Sequence, residues 1–342
     1  MDCMVDQHSP RSREHSNEIQ SGKVSRRRVL QLGCGAALGG LTMSGLGSMA
    51  MAAVRAERVS GLGSSRFCVG EFLPFRSYRD GSGVVHTSRA YVDEAWFESL
   101  GLLPVNVVYS SRFLDGTGLD AALNAENLRK IALQASPAYP VSLDAEEWDE
   151  KRFTPGAPTS NGKSIVQNLV DVVRTFKNAN PAADVGLYSE LPQNTYGFTD
   201  TTEAVHDRLN PQYAEVAALV DYYSPSLYNY RYDGTPAGDQ RWVRAAAYAV
   251  HACRLLDSLN HTNKPILPYI TPAWTDAAKN TRYLSYEQMV WRLQMLMRLG
   301  ANGCILWLSS SAKEPSGDGS LVLDPNQGWL KAAVDTARYS MK

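Results

Sequence analysis

The stretch Pro140-Val141-Ser142-Leu143-Asp144-Ala145-Glu146-Glu147-Trp148 decides how this chain is read. A short apolar run that ends in two carboxylates one residue apart is the pattern of a buried strand delivering an acid pair to the rim of a barrel. Side chains alternate along a strand, so the expectation is that Asp144 and Glu146 point to one side. Two carboxylates crowded together do not both ionise freely. That coupling holds one of them protonated near neutral pH, as a general acid requires.

Runs of the same kind recur on both sides of this one, at residues 67–72, 105–109, 185–188, 222–227, 266–270 and 304–308, which with 141–144 makes seven. Amphipathic stretches lie between them, clearest at 164–178, 241–259 and 285–299. The first carries Ile165, Leu169, Val172, Val173 and Phe176 at helical spacing, and the last opens with Ser285 and Gln288 in a capping-box arrangement and stops at Gly300. Strand and helix alternation of this kind means parallel strands joined by right-handed crossovers. No Gly-rich phosphate loop follows the first strand, as an open nucleotide-binding sheet would have. Polar or aromatic residues instead stand just after several strands: Tyr109, Asp144 with Glu146, Tyr188, Tyr228 and Trp307. Strand ends converge on one site when the sheet closes, so the fold expected is α/β, a distorted TIM-like (β/α) barrel of about seven parallel strands. Residues 150–161, 194–210 and 230–240 are expected to be loops on the rim that carries the site.

The first 52 residues read as an address. Ser25-Arg26-Arg27-Arg28-Val29-Leu30 fits the twin-arginine pattern, a weakly apolar Gly- and Ala-rich stretch follows, and Ala50-Met51-Ala52 offers a small-residue cleavage site. So many glycines make a poor spanning helix, so export to the periplasm or medium without a stable membrane anchor is expected. Residues 53–342 remain as a single catalytic domain, a size suited to one barrel. A formal net charge of −1 and 44% hydrophobic residues argue against a nucleic-acid binder or a disordered chain, and a monomer is expected. Cys68, Cys253 and Cys304 are an odd set at wide spacing, so no disulfide framework is read.

Glu146 is the candidate general acid and base. The bland alternative is a solvated turn, because Glu147, Asp149 and Glu150 follow it closely. Asp144 would sit deeper and orient an amide at the reacting centre, although Asp also caps turns. Glu190, two residues past Tyr188, is the second carboxylate that a two-carboxylate mechanism would use. Tyr109, Tyr188 and Tyr228 follow strands and offer hydroxyls to a substrate, yet among seventeen tyrosines most serve packing. Trp307 ends the last strand, either as core or as a platform for a sugar ring. His86, His206, His251 and His261 show no paired ligand spacing, and no nucleophile elbow occurs, so neither metal nor cofactor is expected.

These residues resemble those of the hyaluronidase-type glycoside hydrolases, the endo-β-N-acetylhexosaminidases of family 56. Leu143-Asp144-Ala145-Glu146-Glu147-Trp148 is similar to their strand with an Asp-x-Glu pair and a following tryptophan. Gly186-Leu187-Tyr188 with Pro192 and Tyr196 resembles their Gly-Tyr-Tyr segment, and Ser224-Pro225-Ser226-Leu227-Tyr228 their Pro-Ser-x-Tyr strand. Lys264-Pro265-Ile266-Leu267-Pro268-Tyr269, Tyr283-Leu284-Ser285 and the segment from Leu299 to Trp307 parallel that family's end region in order and spacing. The resemblance implies a distorted seven-stranded barrel acting on a polysaccharide by a retaining, substrate-assisted mechanism. Glu146 would protonate the glycosidic oxygen, Asp144 and Tyr228 would position the N-acetyl group that attacks, Tyr188 would contact it, and Trp307 would wall its pocket. The chain departs from the family in a short connection between the second and third strands, in lacking the paired cysteines, and in Leu187-Tyr188 where the doublet is usual. For a polyanionic substrate Arg76, Arg79, Arg112, Arg152 and Arg231 are the loop candidates; scattered surface arginines are the default alternative.

Overall fold

Strand formation follows the apolar runs, and the pairing between them closes. The structure is a computed structural model that describes residues 62, 66–88, 92–148, 155–192, 200–229, 232–315 and 319–340. Its strands are β1 (Cys68–Phe72), β2 (Ser77–Arg79), β3 (Val85–Thr87), β4 (Leu103–Pro104), β5 (Asn106–Tyr109), β6 (Leu114–Asp115), β7 (Ala122–Leu123), β8 (Val141–Asp144), β9 (Val185–Leu187), β10 (Tyr269–Ile270), β11 (Ala273–Thr275), β12 (Thr281–Tyr283), β13 (Gly303–Trp307) and β14 (Val322–Leu323). The helices are α1 (Glu94–Ser99), α2 (Ala125–Gln134), α3 (Ile165–Ala179), α4 (Asp200–Leu209), α5 (Ala214–Leu219), α6 (Pro236–Asn260), α7 (Tyr286–Leu299) and α8 (Gly328–Ser340).

Seven parallel staves form a ring. β1 pairs with β4, whose chain continues as β5 and pairs with β8, and β8 pairs with β9. From there the ladder thins to single parallel bridges, Tyr188 with Ser224, Tyr223 with Ile266 and Ser226 with Tyr269. β10 then pairs with β13, and β13 returns to β1 in register from Cys68↔Gly303 to Phe72↔Trp307. The thin sector has a covalent cause: Pro225, Pro265 and Pro268 fall within it, and proline has no N–H to give a ladder. The seven expected runs are the seven staves, and the distorted barrel is the fold.

Alternation sorts each stave into two rows. The outer row, with Val69, Val108, Leu143, Val185, Ile266 and Leu306, packs under the helices. The amphipathic face of α3 supplies Ile165, Leu169, Val172, Val173 and Phe176 to this layer, all fully buried, each contributing about 1.5–3 kcal/mol of burial. Capping boxes at Ser164–Gln167 and Ser285–Gln288 start α3 and α7, and Gly300 at φ 89° ends α7 in the left-handed region that glycine adopts freely. The inner row, with Phe72, Val105, Val107, Tyr188, Tyr222, Leu267, Tyr269 and Ile305, fills the barrel. Gly186 faces Tyr222 there: a Cβ on Gly186 would lie 2.6 Å from the Tyr222 ring, so the glycine makes the space that the fully buried tyrosine occupies.

Three expectations need correction. β8 ends at Asp144 and Glu146 opens a 3₁₀ turn over Glu146–Trp148, so strand alternation does not set their relative direction. The stretch 194–210 is not all loop, because α4 lies within it. Nor is 230–240: Thr235 caps α6 by accepting from Gly238 N–H at 3.2 Å, and Pro236 occupies its first turn, a start signal present in the sequence. The leader over 1–52 lies outside the described residues. Among the described residues no helix is long and apolar enough to cross a membrane, and Cys68, Cys253 and Cys304 are free thiols.

Glu71 stands on the outer row of β1 at 0% exposure, with Oε2 accepting from Leu73 N–H at 2.9 Å and Oε1 without a partner among the described residues. Burial raises its carboxyl to about 8; the Leu73 bond opposes this and the charge of Glu94 adds to it. A raised carboxyl holds its proton longer in the folded state, so its stabilisation is complete below about pH 4.5 and is lost as pH rises through about 8. Thermal unfolding of Glu71→Gln across pH 5–9 is therefore expected to lack a fall of up to about 1.4 kcal/mol per pH unit that the wild type shows, and to be the more stable of the two above pH 8.

Candidate active site

Closure brings the ends of the staves together at one rim. Tyr109 and Asp144 are register partners at the ends of β5 and β8. Tyr188 follows β9, Tyr228 follows the fifth stave (residues 222–227, held by the single bridges), and Trp307 ends β13. Their rings touch in sequence: Tyr228 stacks on Trp307 with centroids 5.3 Å apart and planes at 24°, Tyr188 lies 5.9 Å from Tyr228, and Trp307 Nε1–H donates to Tyr109 Oη at 3.4 Å. Phe72 closes the wall edge-on to Tyr109 at 6.1 Å. Tyr188 Oη and Ser226 Oγ share a hydrogen bond of 3.3 Å.

The two carboxylates occupy unequal depths. Asp144 is 5% exposed, whereas Glu146 is exposed at the mouth, its own backbone N–H donating to Asp144 Oδ1 at 3.4 Å. The turn that carries Glu146 is anchored on both sides. Ala145 and Trp148 are fully buried, Trp148 N–H donates to Ala145 O at 3.0 Å, and Glu147 Oε2 accepts from Gly118 N–H at 3.0 Å. Glu190 is 2% exposed in the turn after Tyr188. Ser189 between them has φ 64°, a left-handed conformation costing a non-glycine residue about 1–2 kcal/mol, and its N–H is held by Ser224 O at 3.1 Å.

Sequence reasoning missed Tyr269. It sits between the expected tyrosines, edge-on to Tyr188 at 4.9 Å and to Tyr228 at 6.5 Å. Its signal was the alternation Leu267, Tyr269 along the inner row. Also missed were the groups that fix Tyr228 from outside. Trp242 on α6 donates Nε1–H to Leu227 O at 3.0 Å, and buried Arg292 on α7 donates to Asn229 Oδ1 at 3.3 Å. Asn229 in turn donates to Thr271 O and Ala273 O. Arg292 is 1% exposed, lies 4.3 Å over the Tyr232 ring and 5.0 Å over that of Trp242, and pairs with Asp239 at 3.3 Å. Tyr228 is thus clamped at both neighbouring residues.

Of the basic candidates, Arg79 is committed to Asp324 at 3.1 Å and to Gly83 O, Arg76 and Arg112 are exposed, and Arg152 and Arg231 lie outside the described residues. Among the described residues no cluster of three or more His, Cys, Asp or Glu could hold a metal ion.

No protein-family model matches the chain, and no curated protein sequence matches it. Among solved structures it is similar to bee venom hyaluronidase, with a TM-score of 0.51 at 16% identity over 73% of this chain and 94% of that one. An endo-1,4-beta-mannanase from Rhizomucor miehei gives 0.41 at 10% identity over 85% and 91%, and AbfB, a family 51 alpha-L-arabinofuranosidase from Bifidobacterium longum, gives 0.41 at 11% over 84% and 67%. The chain has the barrel fold of glycoside hydrolases. At these identities the likeness is one of fold, and the chemistry has to be argued from the site.

The clamp on Tyr228 gives a measurable expectation. Arg292→Met removes the donor to Asn229 and the partner of Asp239 while keeping bulk between the rings. Chemical denaturation is expected to show a loss of roughly 2–3 kcal/mol, with Arg292→Lys in between.

Proposed function

We propose that the chain is an exported, retaining endo-glycosidase of the hyaluronidase type, which hydrolyses β-linked N-acetylhexosamine bonds in a glycosaminoglycan such as hyaluronan or chondroitin. The observation that carries this is the contact chain of Tyr188, Tyr228, Trp307 and Tyr109 at the strand ends, with buried Asp144 the register partner of Tyr109 and Glu146 exposed two residues on. The protein works as a monomer in the periplasm or medium, on a polysaccharide and without nucleic acid, metal or cofactor.

In this reading the sugar before the scissile bond packs its apolar face on Trp307 and lowers its acetamido group between Asp144 and Tyr228, with Tyr188 in contact. Glu146 gives its carboxyl proton to the glycosidic oxygen as the C1–O bond breaks. The acetamido carbonyl oxygen forms a bond to C1 in place of an enzyme nucleophile, leaving an oxazolinium ion. Asp144 faces the amide N–H as it becomes acidic and stabilises the positive charge. Water then attacks C1 from the side the leaving group left, Glu146 takes its proton, and the configuration is retained. Unequal burial suits the two roles: the proton shuttle needs water, and the charge stabiliser gains from its absence.

A second reading uses Glu190 as nucleophile, favoured by its burial two residues past Tyr188. Substrates lacking the N-acetyl group separate the two, since only a two-carboxylate enzyme would cleave them. Purified protein is expected to release even-numbered oligosaccharides from hyaluronan or chondroitin without the unsaturated uronate absorbance of a lyase. Glu146→Gln is expected to lower kcat about 10²- to 10⁴-fold. Unchanged turnover in that variant would remove the mechanism, and saccharide binding by calorimetry with no product would make the chain a carbohydrate-binding barrel instead.

A further inference from the structure

The outer side of the barrel carries a cleft of about 420 Å³ that has no part in the reaction above. It is lined by Pro236, Asp239, Gln240, Val243 and Arg244 of α6 and by Trp291 of α7. The five α6 residues fall at helical spacing on one stripe, beside the buried stripe of Trp242, Ala246, Ala249 and Cys253. Because α6 follows the fifth stave, its first turns stand at the rim end of the barrel. Asp239, within those turns, pairs with Arg292 at 3.3 Å, and Arg292 holds Asn229 beside Tyr228. The cleft shares that wall with the clamp.

Trp291 is half-buried and held in place: the Trp242 ring lies 6.1 Å from it, and the Arg292 guanidinium stands 5.7 Å over its ring. A tryptophan fixed in this way offers a flat apolar surface at little cost in side-chain freedom. Around it stand a carboxylate, an amide and a guanidinium, groups whose donors and acceptors suit sugar hydroxyls. Both charges are already balanced, Asp239 by Arg292 and Arg244 by Glu203 at 2.9 Å. Such a site fits a neutral ligand with an apolar face and a hydroxylated edge, and leaves an anion's charge unmatched. Its size falls within the range of small-molecule sites, about 300–1,000 Å³.

We infer that this cleft is a second saccharide site, which takes a neutral N-acetylhexosamine unit of the polysaccharide with its apolar face on Trp291 and its polar groups toward Asp239, Gln240 and Arg244. The choice of sugar rests on the function proposed above; the make-up of the cleft does not. A polymer held at two places on the same end of the barrel is presented to the rim at a raised local concentration, which suits an enzyme that cuts within a chain. Asp239 belongs to both places, since it lines the cleft and pairs with the arginine behind Tyr228.

The full chain carrying Glu146→Gln, labelled with nitrogen-15 and titrated with tetra-N-acetylchitotetraose, tests this without turnover. The indole N–H signals of Trp307 and Trp291, each assigned by its loss in the Trp307→Phe or Trp291→Phe variant, report the rim and the cleft separately. Both are expected to shift, with different dissociation constants. Gln240→Ala, at an exposed position, is expected to weaken the Trp291 response about fivefold, the loss of one hydrogen bond, and to leave the Trp307 response as it was. A Trp291 signal that stays in place while that of Trp307 saturates would leave the proposed function standing and overturn the second site. A Trp291 response that follows the Trp307 curve and ignores Gln240→Ala is transmitted from the rim and overturns it as well. So does a Trp291 signal that moves only with protein concentration, which makes the cleft a contact between copies. Movement at Trp291 alone would keep the second site and remove the proposed function, and silence at both would end both.

Discussion

The pairing of the last stave with the first is the interaction on which the rest depends. β13 lies against β1 over five residue pairs, and at Gly303 a Cβ would stand 2.2 Å from Cys68 O and 2.6 Å from Leu267 Cδ2. No larger residue fits without pushing the two staves apart. With the ring closed, every stave end faces one rim, and residues 198 positions apart, Tyr109 and Trp307, meet through a hydrogen bond. An open sheet of the same strands would spread Tyr109, Asp144, Tyr188, Tyr228 and Trp307 along an edge.

A barrel of seven staves has a narrow interior, and large aromatic side chains fill it. Tyr222 occupies the space beside Gly186, Tyr269 lies above it among Tyr188 and Tyr228, and Trp307 caps the stack. The same rings are therefore packing at one end and pocket wall at the other. Burial falls along β8 and into the turn after it: Ser142 is at 0%, Asp144 at 5%, and Glu146 is exposed. Coulombic interactions strengthen as water is withdrawn, so two carboxylates a residue apart in sequence meet different dielectric surroundings and differ in what they can do.

Much of this was legible in the sequence because burial of both faces makes a parallel stave a continuous apolar run. The helix starts at Ser164 and Ser285 were equally plain, since capping boxes are local chemistry. What was not legible depended on tertiary contacts. Glu146 was placed by extending strand alternation past Asp144, but the burial of Ala145 and Trp148 bends the chain into a 3₁₀ turn instead. Tyr269 follows Pro268 in the thin sector of the ladder and is one of seventeen tyrosines, so only its contacts distinguish it. Arg292 reads as the polar face of an amphipathic helix. Its burial between Tyr232 and Trp242 follows from rings contributed by a different segment.

That buried arginine shows how the outer layer controls the inner one. Tyr228 has no long ladder to hold it, because the fifth stave is joined to its neighbours by single bridges. Its direction is set instead through Leu227 O, bound by Trp242 of α6, and Asn229 Oδ1, bound by Arg292 of α7. Proline in the staves weakens the β-sheet where the site needs two tyrosines side by side, and helix side chains restore the lost constraint with hydrogen bonds to the flanking residues. The precision of a site at a strand end then comes from the layer behind the sheet as much as from the sheet. Substitutions on α6 and α7, far in sequence from any group at the rim, bear on the orientation of Tyr228 through those two contacts.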